Sequence, residues 1–221
     1  METQGRMIGR ARSLGLGWVL LAANACHPPD PEVASPASAA VGYPGTLRAP
    51  AALGPDVQWE QRVTAQWGEG KRRSFDAVLS KVGDELLILG LGPMKVPGFV
   101  VRLHEGKVDI KVDKRMPESL PFAPRYIVLD VQRVFFPWIP GGPPRDGERH
   151  HLGDGERVTE RWAGGRLIER RFTRADARPP GEIVVRYEGW HDGQDAPARA
   201  VLDNGWFGYT LTIETLVQQR L

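Results

Sequence analysis

Cysteine is almost absent from this chain: Cys26 is the only one in 221 residues, so no intrachain disulfide can staple the fold. Long apolar runs are missing too. The longest near the start, Leu14–Ala23, is shorter than the roughly 20 residues that a membrane-spanning helix needs. Net charge is nearly nil, with 29 basic against 27 acidic residues, and beyond residue 25 the two are equal at 26 each. That balance removes any general electrostatic drive towards nucleic acid. No Gly-x-Ser-x-Gly elbow and no phosphate loop is present. The sequence therefore points to a protein that is not an enzyme, with no cofactor and no resident metal.

What is there begins at the N-terminus. Arg6, Arg10 and Arg12 outnumber Glu2, the apolar run follows, and it closes in Asn24 and Ala25. A basic start, a short apolar stretch and small residues at the cut are the pattern of a signal peptide over residues 1–25. Ala23-Asn24-Ala25-Cys26 resembles the lipobox of bacterial lipoproteins, which implies that Cys26 becomes the first residue and carries the lipid. The alternative is a plain signal peptide with a chance cysteine beside its cut site. A lone thiol is unusual in an exported chain and favours lipidation. His27 follows, where aspartate often marks inner-membrane retention, so the expected address is the outer membrane, facing the periplasm and anchored by lipid. Residues 26–55 are rich in Pro, Ala and Gly and poor in large apolar side chains. They read as a flexible tether extending at roughly 3.1 Å per residue.

Residues 56–221 have the length and pattern of one mainly β domain. Val63/Ala65/Trp67, Phe75/Ala77/Leu79, Phe99/Val101/Leu103 and Val108/Ile110/Val112 alternate with polar residues, and Glu85–Leu91 is apolar on both faces. Val158/Glu160/Trp162, Ile168/Arg170/Phe172, Ile183/Val185/Tyr187, Ala200/Leu202 and Tyr209/Leu211/Ile213 continue the period after a gap. With turn signals at Gly83-Asp84, Glu105-Gly106, Gly164-Gly165 and Asn204-Gly205, this predicts an antiparallel sandwich or barrel of about ten strands. One segment departs from period two. Ile127, Val131, Val134, Phe135 and Trp138 follow helical spacing between Pro124 and Pro137, predicting one amphipathic helix that covers the open face of the sheet.

Polar clusters outside that frame carry little chemistry. His150, His151 and Asp154 are conceivable metal ligands, but adjacent histidines on a strand face opposite ways, and the stretch from Pro140 reads as a solvated connector. Lys71-Arg72-Arg73 reads as a solvated hairpin turn, with anionic lipid headgroups as the alternative partner. His104 and His191 fall at strand ends as surface residues. Trp190 and Trp206, each beside glycine, are either contact residues or packing at strand ends.

The run Glu85-Leu-Leu-Ile-Leu-Gly-Leu-Gly-Pro-Met-Lys-Val-Pro-Gly-Phe-Val-Val-Arg-Leu103 resembles the third and fourth strands of the Lol-system lipoprotein-sorting receptors. The helix at Pro124 and the closing Gly208–Leu216 strand are similar to a related bacterial outer-membrane lipoprotein family of unknown function, often found beside aryl-polyene lipid genes. The resemblance implies a LolA/LolB-like half-open β-barrel with a helical lid and an interior that holds acyl chains. Its partners would be an acyl-chain lipid or lipoprotein, the membrane through the N-terminal anchor, and a periplasmic carrier protein. In the receptors the loop between those strands meets the membrane; here it offers Met94 and Val96. The expected cavity is lined by Val63, Trp67, Leu87, Leu89, Phe99, Val101, Ile127, Val131, Phe135 and Trp138. Each methylene moved into it would contribute about 0.8 kcal/mol. Two alternatives stay open: these residues fill a solid core, or the protein is an anchored assembly factor that binds another envelope protein.

Overall fold

The computed structural model describes residue 43 and residues 45–113, 124–174 and 181–221. Two antiparallel meanders make up the structure. The first runs β1 (Val57–Trp67), β2 (Lys71–Val82), β3 (Glu85–Leu91), β4 (Pro97–His104) and β5 (Lys107–Val112). The second runs β6 (Gly147–Gly153), β7 (Glu156–Ala163), β8 (Arg166–Arg174), β9 (Ile183–Glu188), β10 (Arg199–Asn204) and β11 (Tyr209–Arg220). β1 and β11 pair along their whole length, from Val57 opposite Arg220 to Trp67 opposite Tyr209. That seam joins the meanders into one eleven-stranded sheet in the order β5-β4-β3-β2-β1-β11-β10-β9-β8-β7-β6. β5 and β6 are its two edges and do not pair, so the sheet stays unclosed. This is the mainly β antiparallel architecture that the alternation predicted, in the half-open form that the resemblance implied, with eleven strands in place of about ten.

The turns follow from their residues. Gly164-Gly165 and Glu105-Gly106 both adopt positive φ at each central position, the geometry that suits a two-residue hairpin to the twist of its strands. Gly90 faces Phe99 across β3 and β4, and the ring occupies the space a Cβ would need. The connector that begins at Pro140 is a correction to the sequence reading. Its second half is edge strand β6, paired with β7 from Gly147–Trp162 to Gly153–Glu156. Likewise Lys71, Arg72 and Arg73 do not form the hairpin turn; they open β2, opposite Trp67, Gln66 and Ala65, with all three side chains exposed.

The link between the two sheet edges carries α1 (Pro124–Phe135), which lies on the inner face. Proline suits its first turn, and Pro137 stops it. The helix divides the interior. Val128 and Phe136 join Trp59, Leu79, Leu86, Ile88, Phe99, Val101 and Leu103 of the first meander. Leu129 and Val134 join Val158, Phe172, Ile183, Val185 and Leu202 of the second. Ile127 and Val131 are only half-buried, on the side of the first meander, and half-buried Phe135 packs against both groups.

The segment before β1 is packed, which revises the expected tether over residues 45–55. Arg48 grips Gln132 of α1 both ways, its amide donating to Oε1 at 3.0 Å and its carbonyl accepting from Nε2 at 2.9 Å. The Arg48 guanidinium donates to the carbonyls of Pro137 and Trp138 and lies 4.3 Å from the Trp138 ring centroid. Leu53 is buried, and Lys81 donates to the Gly54 carbonyl and to Asp56 at 2.7 and 2.8 Å. This strap holds the helix against the sheet from the opposite side. The proposed leader, Cys26 and residues 27–42 of the tether lie outside the described residues.

Candidate functional site

Where α1 ends, a pocket partly open to solvent enters the interior. A cavity of about 320 Å³ lies among the helix end and Pro137–Ile139, the start of β1, the β7–β8 hairpin and the end of β9. That volume is at the lower end of the range for small-molecule pockets, roughly 300–1,000 Å³. Its wall is dominated by rings, among them Trp59, Phe135, Phe136, Trp138, Trp162 and Trp190, with Leu53, Val57 and Leu167 between them. Proline and glycine at 137, 141 and 143 let the chain pass close without filling the space.

Two buried charges stand in this wall, and each cancels the other. Arg170 on β8 donates through Nε to Glu160 Oε1 on β7 at 2.8 Å, and its Nη2 lies 2.8 Å from the same oxygen. Its Nη1 donates to the carbonyls of Arg133 and Phe136 at 2.5 and 3.0 Å, satisfying acceptors that a helix end leaves open. Glu160 Oε2 accepts from Trp162 Nε1 at 3.2 Å. Tyr187 donates to the Val134 carbonyl at 2.9 Å, and burial, against the opposing pull of Arg170, pushes its hydroxyl up to about 12. Trp190 Nε1 donates to the Leu167 carbonyl at 2.8 Å. The buried polar groups of the wall are thus engaged with one another, and most of what faces the cavity is ring and methylene, with Arg149, Arg166 and Asp195 also on its lining. At the rim, Arg149 donates to the Gly142 carbonyl at 2.8 Å and to the Pro140 carbonyl, and Arg166 pairs with Asp192 at 2.6 Å.

A second polar cluster is buried nearer the start of α1. Asp130 accepts from Tyr43 at 2.5 Å, from Asn204 Nδ2 at 2.9 Å, from Arg133 at 2.9 Å and from Tyr209. Arg133, with no solvent exposure, also donates to Glu156 on β7. One guanidinium therefore serves two carboxyls. Burial raises the Glu156 carboxyl above its ordinary value, the nearby Arg133 opposing this in part. Burial and the Asp130 charge together hold Tyr43 and Tyr209 well above the usual phenol range. Gly45 lies against this pair so closely that a Cβ there would come within 2.5 Å of Glu156 Oε2. Tyr43 and Gly45 thus seat the strap on the cluster.

Of the ten residues expected to line the cavity, Phe135 and Trp138 do so. Val63, Phe99 and Val101 are buried inward but sit within the packed clusters, with Trp67, Ile127 and Val131 partly buried against them. Leu87 and Leu89 need correction. They pair with Arg102 and Val100 and point to the outer face, while Leu86 and Ile88, opposite Leu103 and Val101, point inward. A strand apolar on both faces offers no alternation from which to read its phase. Met94 and Val96 are exposed at the β3–β4 loop, Met94 at 92%. Trp206 packs edge-on to Tyr43. His150 bonds Thr159 at the exposed edge, and His104 bonds the Asp84 carbonyl. The cavity residues missed include Trp59, Phe136, Trp162, Trp190, Leu53, Val57, Leu167 and the Glu160–Arg170 pair. Glu160 and Arg170 fell in phase with Val158 and Phe172, which is the signal that could have found them.

The model of a protein family described as Protein of unknown function (DUF3261) matches residues 58–217, and the chain belongs to that family. No curated protein matches it. Among solved structures, a LolA superfamily protein from Nitrosomonas europaea is 10% identical, covering 76% of this chain and 86% of that one, with a TM-score of 0.42. A domain described as an outer membrane lipoprotein-sorting protein from Vibrio parahaemolyticus is 12% identical over 75% and 85%, with a TM-score of 0.41. A DUF1329 family protein from Desulfovibrio piger is 13% identical over 75% and 85%, with a TM-score of 0.40. At scores this low the architecture rests on the strand order itself.

Proposed function

Taking membership of this family of unknown function as the premise, we propose that the protein binds an acyl chain in the cavity at the end of α1. In this reading it is a lipid-anchored envelope protein that helps carry or insert a lipid or lipoprotein at the outer membrane. The signal peptide over 1–25, acylation at Cys26 and a tether now shortened to residues 26–42 belong to the same proposal, as does contact of Met94 and Val96 with the membrane.

The observation that carries it is the cavity wall: about 320 Å³ bounded by rings, with its one buried ion pair internally neutralised. Such a wall has much to offer methylenes, and the charge buried within it is already paired; Arg149 at the rim is held by carbonyls. Function would come from binding energy, about 0.8 kcal/mol for each methylene buried, without bond chemistry. Release requires either that the strap and helix shift or that a membrane compete for the chain.

The test is uptake of a fluorescent fatty acid by the full chain carrying Cys26→Ser, which leaves no thiol to acylate. The parent should bind. Phe135→Glu, which puts a carboxylate into the wall, should bind at least about tenfold more weakly while keeping the parent's near-ultraviolet circular dichroism. Equal binding by a folded Phe135→Glu protein would remove the cavity from the function.

A further inference from the structure

The outer face of the sheet is not uniform. On the second meander it is mostly polar: Arg161, Glu169 and Arg186 stand in one cross-strand row that reaches Val201, and Thr159 and Arg171 in the next, beside Val184. Arg161, Arg171 and Arg186 all lie within 3.7 Å of Glu169. β1 and β11 continue in kind, with Arg62 opposite Glu214 and Thr64 opposite Thr212. On β2–β4 the same face carries an apolar patch, bordered by Ser80 and Arg102 beside Leu87, Asp76 beside Leu91 and Lys111 beside Val100. Val78, Leu89 and Val100 form one row, and Leu87 and Leu91 flank it along β3. All five are partly exposed, although inward neighbours such as Leu79, Leu86 and Val101 already fill the core. A strand apolar on both faces ordinarily has something covering each of them.

The patch is continuous with the β3–β4 loop. Met94 and Lys95 both adopt left-handed backbone, φ 59° and 57°, a conformation that costs residues with a Cβ and that clusters where function demands it. Gly92 donates to the Val96 carbonyl at 2.8 Å, closing the loop and leaving the Met94 side chain in solvent. The same end of the sheet carries exposed Arg72 on the outer face and Lys95 in the loop, with Lys71 and Arg73 on the other side of β2, against the acids Glu69 and Asp113; Asp76 is paired with Arg62 at 3.1 Å.

We propose that the outer face of β2–β4, continuing through the β3–β4 loop, is a docking face for an anionic lipid surface. Leu87, Leu89 and Leu91 would lie against the membrane behind Met94, with the Arg72, Lys95 and Lys111 cations among the headgroups. Apolar side chains rimmed by cations are the combination that interfacial binding uses. The docked sheet then stands between the lipid and the cavity, on the first meander's side. The proposal rests on the reading that the protein works at a membrane, and it extends contact from a loop tip to a sheet face.

The test uses the full chain with Cys26→Ser and one introduced cysteine at a time, Leu89→Cys, Met94→Cys or Thr159→Cys, each bearing an environment-sensitive fluorophore. Vesicles of phosphatidylethanolamine with phosphatidylglycerol should shift the labels at 89 and 94 to the blue and leave 159 unchanged. Phosphatidylcholine vesicles or added salt should weaken the response. Leu89→Glu should lower vesicle partitioning by about tenfold without lowering fatty-acid uptake. A response at 94 alone would overturn the docking face and keep only a tip contact. A label at 89 already shielded without vesicles would overturn it in favour of cover by another segment of the chain. If that shielding grows with protein concentration, the cover is a second copy. Absence of any vesicle response overturns membrane docking, and the fatty-acid assay on the same samples reports separately whether the cavity reading stands.

Discussion

The two meanders solve the same problem differently. The first packs α1 chiefly with aliphatic and aromatic side chains, around Leu79, Leu86, Val101 and Leu103, and turns its buried Lys81 to the strap at Gly54 and Asp56. The second places Glu156, Glu160, Arg170 and Asn204 among its inward-facing residues and engages them with Asp130, Arg133 and the carbonyls at the helix end. Apolar contact can slide, whereas a hydrogen-bonded ion cluster has one geometry. The second meander therefore fixes where the helix lies, and the cavity opens where that fixing is done, beside Arg170. The first meander supplies a greasy wall and carries an apolar patch on its outer face as well.

The sharpest way to break this contrast is to remove the cation that serves both carboxyls. Arg133→Met leaves Asp130 and Glu156 without their shared partner and should cost about 3–5 kcal/mol, the loss expected when one side of a buried pair is deleted. Urea unfolding measures it. Leu103→Ala in the apolar half should cost about 2–5 kcal/mol through lost burial and a cavity, but should leave the near-ultraviolet signal of Tyr43 and Tyr209 unchanged. If Arg133→Met proved the milder substitution and left those signals intact, the second meander would not be what positions the helix.

Glu160→Gln has a smaller and more local effect. It strips Arg170 of its counter-charge while the guanidinium still caps α1, so the cavity wall gains an uncompensated cation. Fatty-acid affinity should fall by about tenfold. Anionic and neutral chain ligands should separate, the carboxylate-bearing one losing less.

The smallest expected effect is a slope. Because burial raises the Glu156 carboxyl, the folded state holds a proton that the unfolded chain releases at the ordinary value of 4.5. Stability from this group is full below that value and is lost as pH rises through the raised folded one. Unfolding measured across that window should decline less steeply in Glu156→Gln than in the parent.

The same contrast explains how far the sequence could be read. Alternation at Val63/Ala65/Trp67 or Ile183/Val185/Tyr187 specifies which face is buried, and those strands stand where the pattern puts them. Glu85–Leu91 has no such alternation, and its phase was legible only once β4 lay beside it. The helix was legible from its spacing, but its most deeply buried positions include Gln132 and Arg133, which hydropathy assigns to water. Gln132 meets Arg48 84 residues away and Arg133 meets Glu156 23 residues away, pairings that only the folded chain brings together. Composition also misjudged residues 45–55: few large apolar side chains are needed when Arg48 and Leu53 find prepared seats.

The central claim is that the inner space holds an acyl chain. Native mass spectrometry of the full chain with Cys26→Ser, exported and purified without detergent, tests it most directly. A bound mass that resolves on denaturation into an acyl-chain lipid, and that is lost in Phe135→Glu, is the predicted result. An apo mass that stays apo when fatty acid and phospholipid are offered would contradict it.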